Sequence, residues 1–182
     1  MKTRLWVLTM VFGWVTASAC WADGSGYLKM DFSLSPAGSF QGKSTDLSGF
    51  AYYETGKIKA TPITVRMDVI ATGIALRDRH LKERLEDEKN PMAKMTDITG
   101  ADGKGEGLLE YRSFKKRVPF DFAVDDTRTR VTAKFTLKIS EFGLKDEIMY
   151  MGVGVEDELP VEVVVPVSKT PPPERKTLTG GH

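Results

Sequence analysis

The residues in this chain that could carry soft-metal or nucleophilic chemistry are few: His80, His182 and Cys20. His182 ends a Pro- and Gly-rich tail, and Cys20 lies behind an apolar N-terminal run. A structural or catalytic zinc needs three or four nitrogen or sulfur ligands, and no such Cys/His cluster exists here. A Cys–His nucleophile fails because Cys20 either leaves with the N-terminal segment or is lipidated. A serine triad would have to be built on His80, and nothing around it resembles a nucleophile elbow. Asp78 and His80 could form an acid–base pair, but side chains two apart on a helix diverge. The plainer reading is that Asp78 caps a helix start while Arg77 and His80 bond to neighbouring loops. Gly103-Lys104-Gly105-Glu106-Gly107 is glycine-rich but lacks the phosphate-loop spacing, so it reads as a hairpin. Glu86-Asp87-Glu88 reads as a solvated helix end. Lys115-Lys116-Arg117 reads as a solvated strand start, with peripheral contact to acidic headgroups as the lesser alternative. These residues point to a protein that is not an enzyme, with no cofactor and no metal site.

The first 22 residues are of a different kind. Met1-Lys2-Thr3-Arg4 is basic, Leu5 to Val15 is apolar but too short to span a bilayer, and Thr16 to Ala22 is rich in small residues. This is the pattern of a secretory signal, with export to the periplasm as its consequence. Cleavage after Ala22 leaves no cysteine; cleavage before Cys20 would make a lipid-anchored form, the lesser alternative because Ala17 stands where such signals carry Leu. Removing residues 1–22 takes away Lys2 and Arg4 and no acid. That leaves 24 basic against 25 acidic residues, a net charge of −1. There is no basic field to attract nucleic acid. A single cysteine cannot form an internal disulfide.

The elements that must position everything else are short and alternating. Leu28, Met30, Phe32 and Leu34 share one face of a strand, as do Ile63, Val65, Met67 and Val69 in a strand predicted to run to Ile70. Val118, Phe120, Phe122 and Val124 follow the same rule, then Val131, Ala133, Phe135, Leu137 and Ile139. Met149, Met151, Val153 and Val155 continue it. Met92 to Thr99 is a weak strand. In the last strand, Leu159 to Val167, Pro160 and Pro166 lack the ladder donor and predict an edge or partly paired position. Gly49, inside Thr45 to Glu54, predicts a bulge or sharp bend. Between Ile74 and Glu88 the apolar period lengthens, with Leu81 and Leu85 four apart, which predicts one short amphipathic helix. Eight to ten strands in one domain over residues 23–168, with a solvated tail over 169–182, predict an antiparallel barrel or sandwich. Its inward residues suit an adaptable apolar cavity lining or a solid core equally.

Several runs carry a family likeness. Thr72-Gly73 followed by Arg77-Asp78-Arg79-His80-Leu81 resembles the strand end and lid-helix start of the YceI-like family. Gly38-Ser39-Phe40, Ser48-Gly49, Asn90-Pro91, Gly105 to Leu109, Lys116-Arg117-Val118 and Ser140-Glu141-Phe142-Gly143-Leu144 are similar to that family's elements in order. Asp31-Phe32-Ser33-Leu34-Ser35 departs from it, lacking the histidine of the family's opening element. The resemblance implies an all-β fold, a lipocalin-like antiparallel barrel of about eight strands with one short lid helix. It implies a polyisoprenoid or similar amphiphile as partner, held inside. The residues expected to line such a site are Phe32, Met67, Val69, Leu81, Leu85, Phe120, Phe122, Phe135, Leu137, Met149 and Met151, with Leu81 and Leu85 at the mouth. The rival expectation is a filled barrel that meets protein partners through Glu156-Asp157-Glu158 or the Pro-rich tail.

Overall fold

The computed structural model describes residues 26–36, 38–85, 88–142, 149–150 and 153–173. The strands run in the order β1 (Tyr27–Ser35), β2 (Ser39–Ser44), β3 (Leu47–Ser48), β4 (Ala51–Glu54), β5 (Lys57–Ala60) and β6 (Ile63–Arg66). The helix α1 (Ala75–Leu85) follows, then β7 (Met92–Ala101), β8 (Lys104–Tyr111), β9 (Phe114–Val124), β10 (Arg130–Lys138) and a 3-10 turn (Ile139–Phe142). The last strands are β11 (Met149–Tyr150), β12 (Val153–Val155) and β13 (Glu158–Ser168).

The sheet closes on itself. The path β10-β9-β8-β7-β5-β4-β13 returns to β10, giving a seven-stranded ring. One junction in it is parallel, with Val167 opposite Ala51 and Ser168 opposite Tyr52. The barrel is therefore mixed rather than wholly antiparallel, and its ring is one strand short of eight. A second, interrupted route runs from β13 through β1 to β2, and from β3 through β6 to β7, with no ladder joining β2 to β3 among the described residues. Lys43 and Ala71 exchange backbone hydrogen bonds of 2.9 Å beside it.

Gly49 makes the two routes compatible. Before it, β3 pairs with β6; after it, β4 pairs with β5. Its φ of +111° lies in the left-handed half of the map. A Cβ there would stand 2.6 Å from the Pro62 carbonyl oxygen and the Ile63 Cδ1, so only glycine turns this corner.

Two sequence expectations change and a third is narrowed. The strand from Ile63 ends at Arg66, because Ile70 N–H donates to Met67 O and folds the next residues into a turn. Parity is lost there: Ile70 becomes buried and Val69 faces solvent. The weak strand is instead ten residues long and bonded on both edges. Its register shifts between Thr96 and Thr99, and this bulge brings both Met95 and Ile98, three apart, to the interior. Of the two positions expected for the Pro-bearing last strand, it takes the partly paired one and is not an edge: β13 pairs with β10 from Pro166 down to Glu158. Val167 N–H donates to Thr129 O, so odd-numbered amides face β10 and even-numbered ones face away. On that far side β1 covers only Val161 to Val164, and Pro160 and Pro166 sit just beyond it, where no donor is needed.

Candidate functional site

The alternating apolar faces meet around a cavity of about 160 Å³. β1 contributes Leu28, Met30 and Phe32, β9 Phe120 and Phe122, and β10 Val131, Ala133, Phe135 and Leu137. Among the described residues every wall residue is apolar apart from Lys59, Lys94 and Tyr111. The interior is thus hollow, which resolves the choice between cavity and solid core. Two glycines give its aromatic rings room. A Cβ at Gly105 would meet the Phe120 ring at 2.5 Å, and one at Gly100 would meet Phe122 at 2.6 Å. An apolar void of this size stays dry, since a water inside would find no polar partners.

α1 closes one end. Leu81 and Leu85 are each 5% exposed, on one face of the helix. The Tyr111 hydroxyl donates to the Leu85 carbonyl at 2.8 Å, satisfying a helix C-terminal oxygen inside the protein. At the other end of the helix the Arg77 guanidinium lies 4.6 Å over the Phe40 ring, which itself stacks on Phe32 at 4.8 Å. Arg77 is therefore held by a cation–π contact to the sheet. Asp78 does not cap the helix amides. Its carboxylate accepts from Thr72 N–H at 2.6 Å and from the Thr72 hydroxyl at 2.5 Å, tying down the loop that enters the helix. The Thr72 hydroxyl, more than any other group, holds the Asp78 carboxyl below the usual carboxylate range. That carboxylate is engaged away from His80, which lies half-buried on the same helix.

The expected lining residues divide as follows. Phe32, Met67, Leu85, Phe120, Phe122, Phe135 and Leu137 border the cavity. Leu81 is buried in the surrounding core, and Leu85 alone of the helix reaches the cavity wall. Val69 is 38% exposed and borders nothing inside, a consequence of the turn after Met67. Met151 and the Met149 side chain lie outside the described residues, as do residues 1–25 and the Gly143-Leu144 part of the predicted turn. Leu28, Met30, Ile63 and Val65 also border the cavity, although their alternation was legible. Met95 and Ile98 were missed because the bulge in β7 hides the period, and Leu109 and Tyr111 because Gly105 and Gly107 leave the inward face of β8 without side chains for half its length.

The polar runs are engaged within the fold. Lys115 pairs with Glu110, Lys116 with Glu141, and Arg117 with Glu106 at 3.2 Å. Asp157 accepts from Ser140 N–H at 2.7 Å and from its hydroxyl at 2.9 Å, so the centre of the acidic loop is turned back onto the 3-10 turn. Among the described residues no cluster of His, Cys, Asp and Glu could hold a metal ion, and no helix is long and apolar enough to cross a membrane.

The model of the YceI-like domain matches residues 26–167. Two solved structures share the fold. A polyisoprenoid-binding domain from Saccharophagus degradans, implicated in plant cell wall breakdown, is 15% identical, with a TM-score of 0.57 over 79% of this chain and 94% of its own. BcnA of Burkholderia cenocepacia is 13% identical, with a TM-score of 0.59 over 79% of this chain and 96% of its own. No curated protein is matched.

Proposed function

From the premise that this chain belongs to the YceI-like domain family, we propose that it is an exported binding protein. It sequesters a polyisoprenoid or similar amphiphile inside its barrel and has no catalytic step of its own. The hollow, almost wholly apolar interior is the observation that carries this reading. The polyisoprenoid-binding domain of the same fold supports the ligand class. The leader-like Met1 to Ala22 supports release to the periplasm.

The mechanism is burial. At about 25 cal/mol per Å², enclosing a few hundred Å² of an apolar chain contributes several kcal/mol. The ligand-lining residues are Phe32, Met67, Leu85, Phe120, Phe122, Phe135 and Leu137, with Met30 and Met95 as adaptable wall elements.

Native mass spectrometry of protein purified from a bacterial host tests the proposal. A retained apolar mass, displaced by all-trans-retinol, is the expected result. A bare chain that takes up no retinol would overturn it.

A further inference from the structure

The barrel wall is incomplete between β9 and β10. Their ladder holds four rungs, from Val131 opposite Val124 to Lys134 opposite Asp121. Beyond that rung the strands part. β9 stays paired to β8 down to Phe114, and β10 stays paired to β13 down to Lys138. Residues 117–120 and 135–138 thus face each other with no ladder between them among the described residues. At about 3.3 Å per residue the unpaired length is roughly 13 Å. The 3-10 turn spans the far end of this window. Phe142 packs edge-on against Phe114 at 5.9 Å, and Glu141 pairs with Lys116 across the gap. Phe135 and Leu137, whose side chains border the cavity, are only half-buried at this seam.

On the outer surface the same seam is crossed by a groove. Phe120, Phe135 and Val161 border both the cavity and the groove. The charges along the groove are neutralised in pairs: Lys29 with Asp31 at 3.6 Å, Lys104 with Asp121 at 2.6 Å, and Lys134 with Glu162 at 3.4 Å. It therefore offers balanced donors and acceptors rather than a net field. A cavity of about 160 Å³ is well below the several hundred Å³ that enclose a drug-sized molecule. A long chain must leave the interior somewhere, and the helix end is shut by Leu81, Leu85 and the Tyr111 bond.

We propose that the β9–β10 seam is a lateral exit. The apolar chain of the ligand lies in the cavity, and its uncharged polar end, a hydroxyl or carbonyl group, emerges between β9 and β10 into the outer groove. This rests on the carrier reading above.

The test places a reporter at each candidate exit. In a Cys20→Ser chain, a fluorophore is attached to Thr136→Cys in the groove, to Ser113→Cys in the β8–β9 turn at the helix end, or to Asp126→Cys at the opposite end. The probe is a farnesyl chain with a nitroxide on its polar end, and its electron spin resonance spectrum reports whether it is held. Quenching at position 136 at least twofold stronger than at 113 and 126 is the expected result. With the probe immobilised, equal quenching at the three positions, or strongest quenching at 113 or 126, overturns the lateral exit and leaves the carrier reading standing. A probe that stays freely mobile with every variant and with the unmodified chain overturns the carrier reading, and the exit falls with it.

Discussion

Asp125 folds the β9–β10 turn around its own side chain. Its carboxylate accepts from the Thr127 hydroxyl at 2.5 Å, from Thr129 N–H at 2.7 Å and hydroxyl at 2.9 Å, and from Arg130 N–H at 2.9 Å. These donors, the Thr127 hydroxyl foremost, hold its carboxyl at about 2. The folded value lies below the unfolded one of ~3.9, so the charged form stabilises the fold above ~3.9. That contribution disappears as pH falls from about 4 towards about 2. Asp125→Asn should lower Tm at pH 7 and show a shallower fall in Tm than the parent between pH 4 and pH 2; parallel curves would exclude the carboxylate as the source. Asp78→Ala, which removes both hydrogen bonds from Thr72, should cost about 1 kcal/mol, a loss of a few degrees in Tm read by thermal unfolding. At this scale the sequence was partly legible. It marked Asp78 as a structural rather than a catalytic group, but not its partner, because a contact to Thr72 six residues earlier depends on how the loop folds back.

At the scale of elements, regular alternation and the corner at Gly49 were read correctly, but the interruptions after Met67 and in β7 were not. β10 follows the period-two pattern from Val131 to Leu137. β7 does not, since its bulge moves the inward parity by one. Proline in β13 suggested an edge or a partly paired strand, and the second holds: β1 covers only part of one side of a central strand. The helix was expected to present Leu81 and Leu85 to a ligand, so that exchanging both for Asp would weaken binding more than folding. Both are in fact core residues, and burying two carboxylates there would unfold the protein first. Single truncations separate the roles. Leu81→Ala and Leu85→Ala should each cost about 2–5 kcal/mol in urea unfolding. Only Leu85→Ala, which enlarges the cavity, should change retinol affinity in a fluorescence titration. An equal change for Leu81→Ala would mean that the whole helix face, rather than Leu85, touches the ligand.

For the molecule as a whole, closure explains how a void survives. The sheet closes on itself through β4 and β5, and β1 with β2 on β13 and β6 with β3 on β7 extend the wall from either side of that closure, so the wall cannot simply collapse inward onto an empty centre. At ~24 cal/mol per Å³ an unfilled cavity of about 160 Å³ costs about 4 kcal/mol relative to a filled interior. A ligand that occupies it removes part of that cost and binds only the folded chain. The expected signature is linkage: free retinol at 100 times its Kd should add about 2.7 kcal/mol to stability, a rise in Tm of roughly 5–10 °C for a domain of this size. The rise should grow with the logarithm of free ligand, and it should shrink in a variant whose cavity is already occupied by protein, such as Ala133→Phe on the β10 wall. If retinol at that concentration leaves Tm where it was, the void is a packing feature rather than a binding site, whatever the likeness of the barrel's fold to that of a polyisoprenoid-binding domain.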